Sequence, residues 1–186
     1  MKNLLAICAC MSLVALAATV HAQLSDSDTH DINIIVEEAA LLEVSDDTPI
    51  FTITADLPAG SEFVVTPQNE DAVWIAYSSI MDAAQTPREI TVEIDDMLAG
   101  MTLTVEPLAL NSECGDAGTM SGLLTLAAGV PQVIVSEIGS VYTGTIADGD
   151  QGLNVRYGLT LDDCEAGQLF DQDETVVVTY TLQNES

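Results

Sequence analysis

The side chains with chemistry to offer in this 186-residue chain are overwhelmingly carboxylates: 30 Asp and Glu stand against three Lys and Arg and two His. His21 falls in an apolar opening stretch, so His30 is the one imidazole of the remainder, and Lys2 is the only lysine. Nucleophilic triads and histidine metal clusters fail on this inventory, because His30 sits beside a polar, acidic leader. Schiff-base chemistry and a phosphate-binding P-loop have no lysine to use, and no G-x-G-x-x-G run is present. What remains is oxygen chemistry. Asp26, Asp28 and Asp31, Asp148 with Asp150 in "ADGDQG", Asp162 with Asp163, and Asp171, Asp173 and Glu174 all lie in loop-like stretches where carboxylates could converge on a hard cation. Asp148 and Asp150, flanked by glycines, are the best calcium candidates, although none of the clusters has the twelve-residue EF-hand spacing and acidic residues favour loops for local reasons as well. Two carboxylates astride a glycosidic bond would make a hydrolase, but sugar clefts need aromatic platforms. One Trp, four Tyr and three Phe, mostly at alternating positions, fit core packing better. The chain therefore reads as non-catalytic.

The same charge balance narrows the partners. A surface this negative repels nucleic-acid phosphate and anionic headgroups, since neither meets a basic patch. Nucleic acid is not an expected partner.

Residues 1–22, "MKNLLAICACMSLVALAATVHA", carry one basic residue, an apolar run and the small residues Val20 and Ala22 before Gln23. This is the pattern of a cleaved export signal, which predicts a periplasmic, cell-surface or extracellular product with no membrane insertion after cleavage. Removing it takes away Lys2 and makes the remainder one unit more negative than the −27 of the full chain. Cys8 and Cys10 leave with it. Cys114 and Cys164 are then the only pair in an oxidising compartment, and a disulfide between them is expected. Closing a loop of about 50 residues would contribute roughly 4 kcal/mol in the chain-entropy picture. The other reading, a reactive or metal-binding thiolate, finds no C-x-x-C spacing and no nearby histidine.

The elements that must position these groups are strands. Residues 23–31 are expected to form a flexible acidic leader, and 32–186 a single domain. In "INIIVEEAALLEV", Ile32, Ile34 and Val36 alternate, then Ala40, Leu42 and Val44 do so after Glu37-Glu38, which predicts two short strands or one kinked strand. Further strands are predicted at "IFTIT" (50–54), "EFVVT" (62–66), "AVWIAYSSI" (72–80), "EITVEID" (89–95), "MTLTVEP" (101–107), "SGLLTLA", "PQVIVSEIG", "VYTGTI" and "GLNVRYGLTL". Ile90, Val92 and Ile94 opposite Met101, Leu103 and Val105, across "DMLAG", have hairpin spacing. In "GLNVRYGLTL", Leu153, Val155, Tyr157, Leu159 and Leu161 share one face, and in "DETVVVTYTLQNES" Val176, Val178, Tyr180 and Leu182 do. Only "MDAAQTP" offers a helical turn. Some ten short alternating strands with turns between them predict an all-β, antiparallel β-sandwich, immunoglobulin-like or jelly-roll-like. Trp74 is expected inward beside Ala72 and Ala76, its alternative being an exposed ring that stacks on a sugar, and Arg156 is expected in a surface ion pair.

The segment "AGQLFDQDETVVVTY" resembles the ending of exported bacterial β-sandwich proteins of the spore-coat-U and pilin-like kind, on Ala166-Gly167, Phe170, Asp171, Val176, Val178 and Tyr180. The resemblance implies a non-catalytic surface structural or adhesion module, a subunit of a pilus-like or coat assembly. It also implies self-association in which the N-terminal segment of one copy completes the sheet of another. Ile32, Ile34 and Val36 are the residues such strand addition would use, unless they form the first strand of their own sandwich. The alternatives from other classes are a calcium-dependent glycan-binding module and a carboxylate-based glycoside hydrolase.

Overall fold

The computed structural model describes residues 30–55, 58–97, 99–112, 114–148, 151–162 and 174–185. The chain divides between Ile35 and Val36 into two units. In the first, the described residues 30–35 adopt no helix or strand.

The second unit is built from antiparallel strands. In chain order they are β1 (Ala39–Val44), β2 (Thr52–Ala55), β3 (Phe63–Thr66), β4 (Asn69–Ile80), β5 (Arg88–Ile94), β6 (Met101–Asn111), β7 (Cys114–Gly115), β8 (Thr119–Met120), β9 (Leu124–Thr125), β10 (Gln132–Ile138), β11 (Val141–Tyr142), β12 (Gly152–Leu161) and β13 (Val178–Asn184). A 3-10 turn spans Ile146–Asp148. One sheet bonds in the order β7-β11-β4-β12-β6-β9 with β1 also on β4, a second in the order β13-β5-β10-β8, and β2 pairs with β3. The all-β sandwich read from the alternation is the observed architecture. Among the described residues no helix is long and apolar enough to cross a membrane.

One-sided burial explains the strands. Val73, Ile75 and Tyr77 of β4, Leu103 and Val105 of β6, and Leu153, Val155 and Tyr157 of β12 turn inward from the larger sheet. Ile90, Val92 and Ile94 of β5 and Ile134, Val135 and Ile138 of β10 meet them from the smaller one. Each such side chain removed from water is worth about 1.5–3 kcal/mol, which is what holds two twisted layers together. Val178, Tyr180 and Leu182 pack on this core from one face of the last strand, as their spacing requires, and Val176 does so just ahead of it. Ile134 and Val135 are consecutive yet both fully buried, because the β10 register shifts on either side of Val135 and Glu137 takes φ 58°.

Residues 124–130 tie the sheets together: Leu126 N–H donates to Leu103 C=O at 2.9 Å and Gly129 N–H to Ile94 C=O at 2.8 Å. The Trp74 carbonyl accepts from Ser45 N–H and the Tyr77 carbonyl from Thr143 N–H, so β1 runs along one edge of β4 while β11 and β12 follow one another along the other. β1 and β13, each outermost in its sheet, pack against each other.

Several expectations change. β5 and β6 are not a hairpin: β5 bonds to β10 and β13, β6 to β12 and β9, and the turn between them crosses from one sheet to the other. Ile90, Val92 and Ile94 do oppose Leu103 and Val105, but through the core rather than through hydrogen bonds. "INIIVEEAALLEV" yields one strand, β1, and "VYTGTI" only β11. "MDAAQTP" makes a turn, closed by Gln85 N–H on Asp82 C=O at 3.0 Å, and no helix.

Candidate functional site

The residues singled out for strand addition are exposed. Ile32, Ile34, Ile35 and Val36 are 74%, 80%, 74% and 72% exposed, and none belongs to a strand. Asp31 precedes this uncharged stretch and Glu37-Glu38 follow it. Two residues further on the chain is pinned: Arg88 Nη2 pairs with Glu38 and its Nη1 donates to Ala39 C=O. The Arg88 side chain is 4% exposed and that of Glu38 48%, so the guanidinium is buried under the start of β1 with its counter-ion at the surface.

The other predicted sites are only partly within view. Cys114 is exposed in β7, and Cys164 lies outside the described residues, so the disulfide reading rests on sequence. Asp148 ends the 3-10 turn, and Asp150 lies outside the described residues, as do Asp26, Asp28, Asp163, Asp171 and Asp173. Asp162 accepts a hydrogen bond from Thr102 Oγ1 at 2.7 Å. Among the described residues no group of three or more His, Cys, Asp or Glu is placed to hold a metal.

Trp74 reverses its expectation. Ile75 and Tyr77 point into the core, so the period of two sends Trp74 and Ala76 to the outer face of the larger sheet. Ala76 is nonetheless 6% exposed, which is why apolar residues on both faces of β4 gave no sequence clue to which was inward. On that outer face Leu41, Ser78, Tyr142 and Cys114 lie in register across β1, β4, β11 and β7. Leu41 is 67% and Tyr142 49% exposed. A shallow cleft of about 290 Å³ runs beside them, bordered by Glu43, Ala76, Gly144 and Thr145.

A second cleft, about 320 Å³, is lined by Asp95, Asp96, Met97, Glu174, Thr175 and Val176. Asp95 Oδ1 accepts from Val177 N–H at 2.8 Å and Asp96 N–H at 2.9 Å, so this carboxylate shapes the turn out of β5. Among the described residues no aromatic ring lines that cleft. Arg156 pairs with Glu106 at the surface, as expected.

Besides the buried Arg88 guanidinium there are buried phenols, and sequence reasoning missed them. Tyr157 OH and Tyr180 OH share a hydrogen bond of 2.5 Å between the two sheets, and Tyr77 OH donates to Ala117 C=O at 2.5 Å. Burial pushes the Tyr157 phenol up to about 12, the bond to Tyr180 offsetting part of the rise. Tyr180 is raised further, by burial first and by Tyr157 second, and Tyr77 is raised by burial and then by the charge of Asp116. Phenols held neutral this firmly are structural groups at physiological pH.

Comparison of the chain with protein-family models, with curated proteins and with solved structures gives no match.

Proposed function

We propose that the protein is an exported, non-catalytic structural or adhesion module of a cell surface, whose copies join when Ile32–Val36 of one adds as a strand to a sheet edge of the next. The observation that carries this reading is the exposure of that segment: four large apolar side chains in five residues, all more than 70% in solvent and outside any strand. Apolar surface of this kind is retained where a partner covers it. In strand addition the backbone supplies affinity and alternate side chains, here Ile32, Ile34 and Val36, fill pockets. The acidic residues on both sides limit the inserted length to the uncharged stretch.

The test is electron microscopy and sedimentation of the purified protein with and without residues 23–36. Filaments or large oligomers that need those residues support the reading. An intact chain that never grows beyond a dimer at high concentration ends it.

Glycan binding is the second reading, favoured by the outward Trp74 and Tyr142 on one sheet face. It predicts quenching of the single tryptophan's fluorescence by oligosaccharides, and with the Asp148 and Asp150 calcium reading, a melting temperature that rises with Ca²⁺ and falls with EDTA.

A further inference from the structure

We infer that the free edge of β13 is a homodimer interface, at which two copies pair β13 to β13 antiparallel about a two-fold axis through Thr181. The hydrogen-bond parity of the strand sets this up. Val177 C=O accepts from Asp95 N–H and Glu185 N–H donates to Pro87 C=O, while the register between them runs unbroken from Val178 to Asn184. In an antiparallel ladder alternate residues bond to the same neighbour, so the odd-numbered residues of β13 are spent on β5. Val178, Tyr180, Leu182 and Asn184 therefore turn their N–H and C=O groups outward, and among the described residues nothing accepts or donates there, β1 of the other sheet approaching β13 without backbone pairing to it.

Such an edge is normally blunted by charge, proline, a bulge or shortness. The sequence of β13, VTYTLQN, has no charged residue and no proline, and its pairing has no bulge. β13 is the longest outermost strand of this kind: β2 and β3 are also uncharged but four residues long, β7, β8 and β9 are two residues long, and β1 carries Glu43. In a chain with 30 carboxylates and three basic residues, seven consecutive uncharged edge residues keep carboxylates off the contact line itself, the nearest being Glu185 at its end and Glu89 and Glu93 one strand inward, in register with Gln183 and Thr179. An antiparallel edge is also its own complement, which favours a second copy over an unrelated chain and gives a closed, isologous contact.

Using all four outward residues fixes the register: Val178 pairs with Asn184, Tyr180 with Leu182, and Thr181 faces Thr181 of the second copy at a non-hydrogen-bonded position. The Cα atoms there would be about 4.5 Å apart, within disulfide reach. The Thr181 side chain is exposed, so replacing it leaves the core intact. This interface does not depend on Ile32–Val36 and is separate from the strand addition proposed above.

Five chains are compared by sedimentation and, for the cysteine variants, mild oxidation with cross-links mapped by mass spectrometry: the unaltered protein, Thr181→Cys, Thr179→Cys, Thr181→Asp, and Thr181→Cys lacking residues 23–36. The expected result is a concentration-dependent dimer that tightens with salt, and a T181C cross-link joining position 181 of both copies with little from T179C. Thr181→Asp should weaken the dimer several-fold with an unchanged circular dichroism spectrum, because like charges then meet on the axis. A monomer at all concentrations overturns the proposal, as do equal cross-linking at 179 and 181 and a T181C cross-link that forms only once residues 23–36 are deleted. That last outcome would make the N-terminal segment the occupant of this edge, since it must leave before the two Thr181 positions can meet.

Discussion

Tyr157 and Tyr180 join the two sheets of the sandwich through their hydroxyls, 2.5 Å apart, one from β12 and one from β13. Each phenol is the other's only hydrogen-bonding partner among the described contacts, so neither can be removed without orphaning its mate. Tyr157→Phe and Tyr180→Phe should each cost about 1–3 kcal/mol, the penalty for an unsatisfied buried hydroxyl. The double variant should cost much less than the sum, with a coupling of about 1 kcal/mol or more in a urea-denaturation cycle. Strict additivity would mean that the bond contributes nothing.

The same tyrosines set the alkaline limit. Tyr77, Tyr157 and Tyr180 all have phenols raised above the ordinary value of 10.0 in the folded chain. Below pH 10 both folded and unfolded states keep the proton, and the full stability is present. Above it the unfolded chain ionises first, binds fewer protons than the native state, and stability falls. The slope approaches about 1.4 kcal/mol per pH unit for each tyrosine, until the native phenol itself ionises. For Tyr157 the window closes at about 12. Urea midpoints measured from pH 8 to 12 should be flat and then drop, and Tyr157→Phe should make the drop shallower.

How far the sequence could be read follows from which signals are local. β12 and β13 were legible because a strand with one wet face imposes a period of two on its own residues. Trp74 was not, since Val73 to Tyr77 is apolar on both faces and only the packing around Ala76 decides which is the core. β5 and β6 show why connection is harder than element: two alternating runs around a short turn look the same whether they lie side by side or face each other across a core. The Arg88–Glu38 pair spans 50 residues and the Tyr157–Tyr180 pair 23, and contacts at such separations exist only once the sheets are stacked. Residues 32–36 were named for their spacing, but that they adopt no strand and stay exposed is a structural finding.

Arg88 gives an asymmetric prediction. Removing Glu38 leaves a buried guanidinium with the Ala39 carbonyl but no counter-ion, whereas removing Arg88 leaves a carboxylate that is already half in water. Glu38→Ala should therefore destabilise by about 3 kcal/mol or more, and Arg88→Met, which fills the site with apolar volume, by clearly less. Thermal melts of the two variants check the order. Equal losses would show that the ion pair acts as an ordinary surface pair.

At Gly152 the backbone itself is the constraint. Its φ is +89°, and a Cβ there would lie 2.3 Å from the Ile75 carbonyl oxygen, where β12 begins its pairing with β4. Gly152→Ala combines a disfavoured dihedral with a clash against main chain that is hydrogen-bonded in place, and should cost at least about 2 kcal/mol. Gly60, at φ +96° but with open space around it, isolates the dihedral part, so Gly60→Ala should cost less. Urea titration of the pair separates strain from collision.

Carboxylate crowding makes salt a stabiliser. With a formal charge of −27 and few cations to pair, the compact state concentrates like charges that the unfolded chain spreads out. Raising ionic strength from about 0.01 to about 1 M shortens the screening length from roughly 30 to roughly 3 Å, below the spacing of most surface charges. The melting temperature should climb steadily over that range, with NaCl and KCl giving the same curve. A Ca²⁺ response that exceeds the curve at equal ionic strength would instead mark a specific site, and asparagine replacement of Asp148 and Asp150 should then return calcium to the common line.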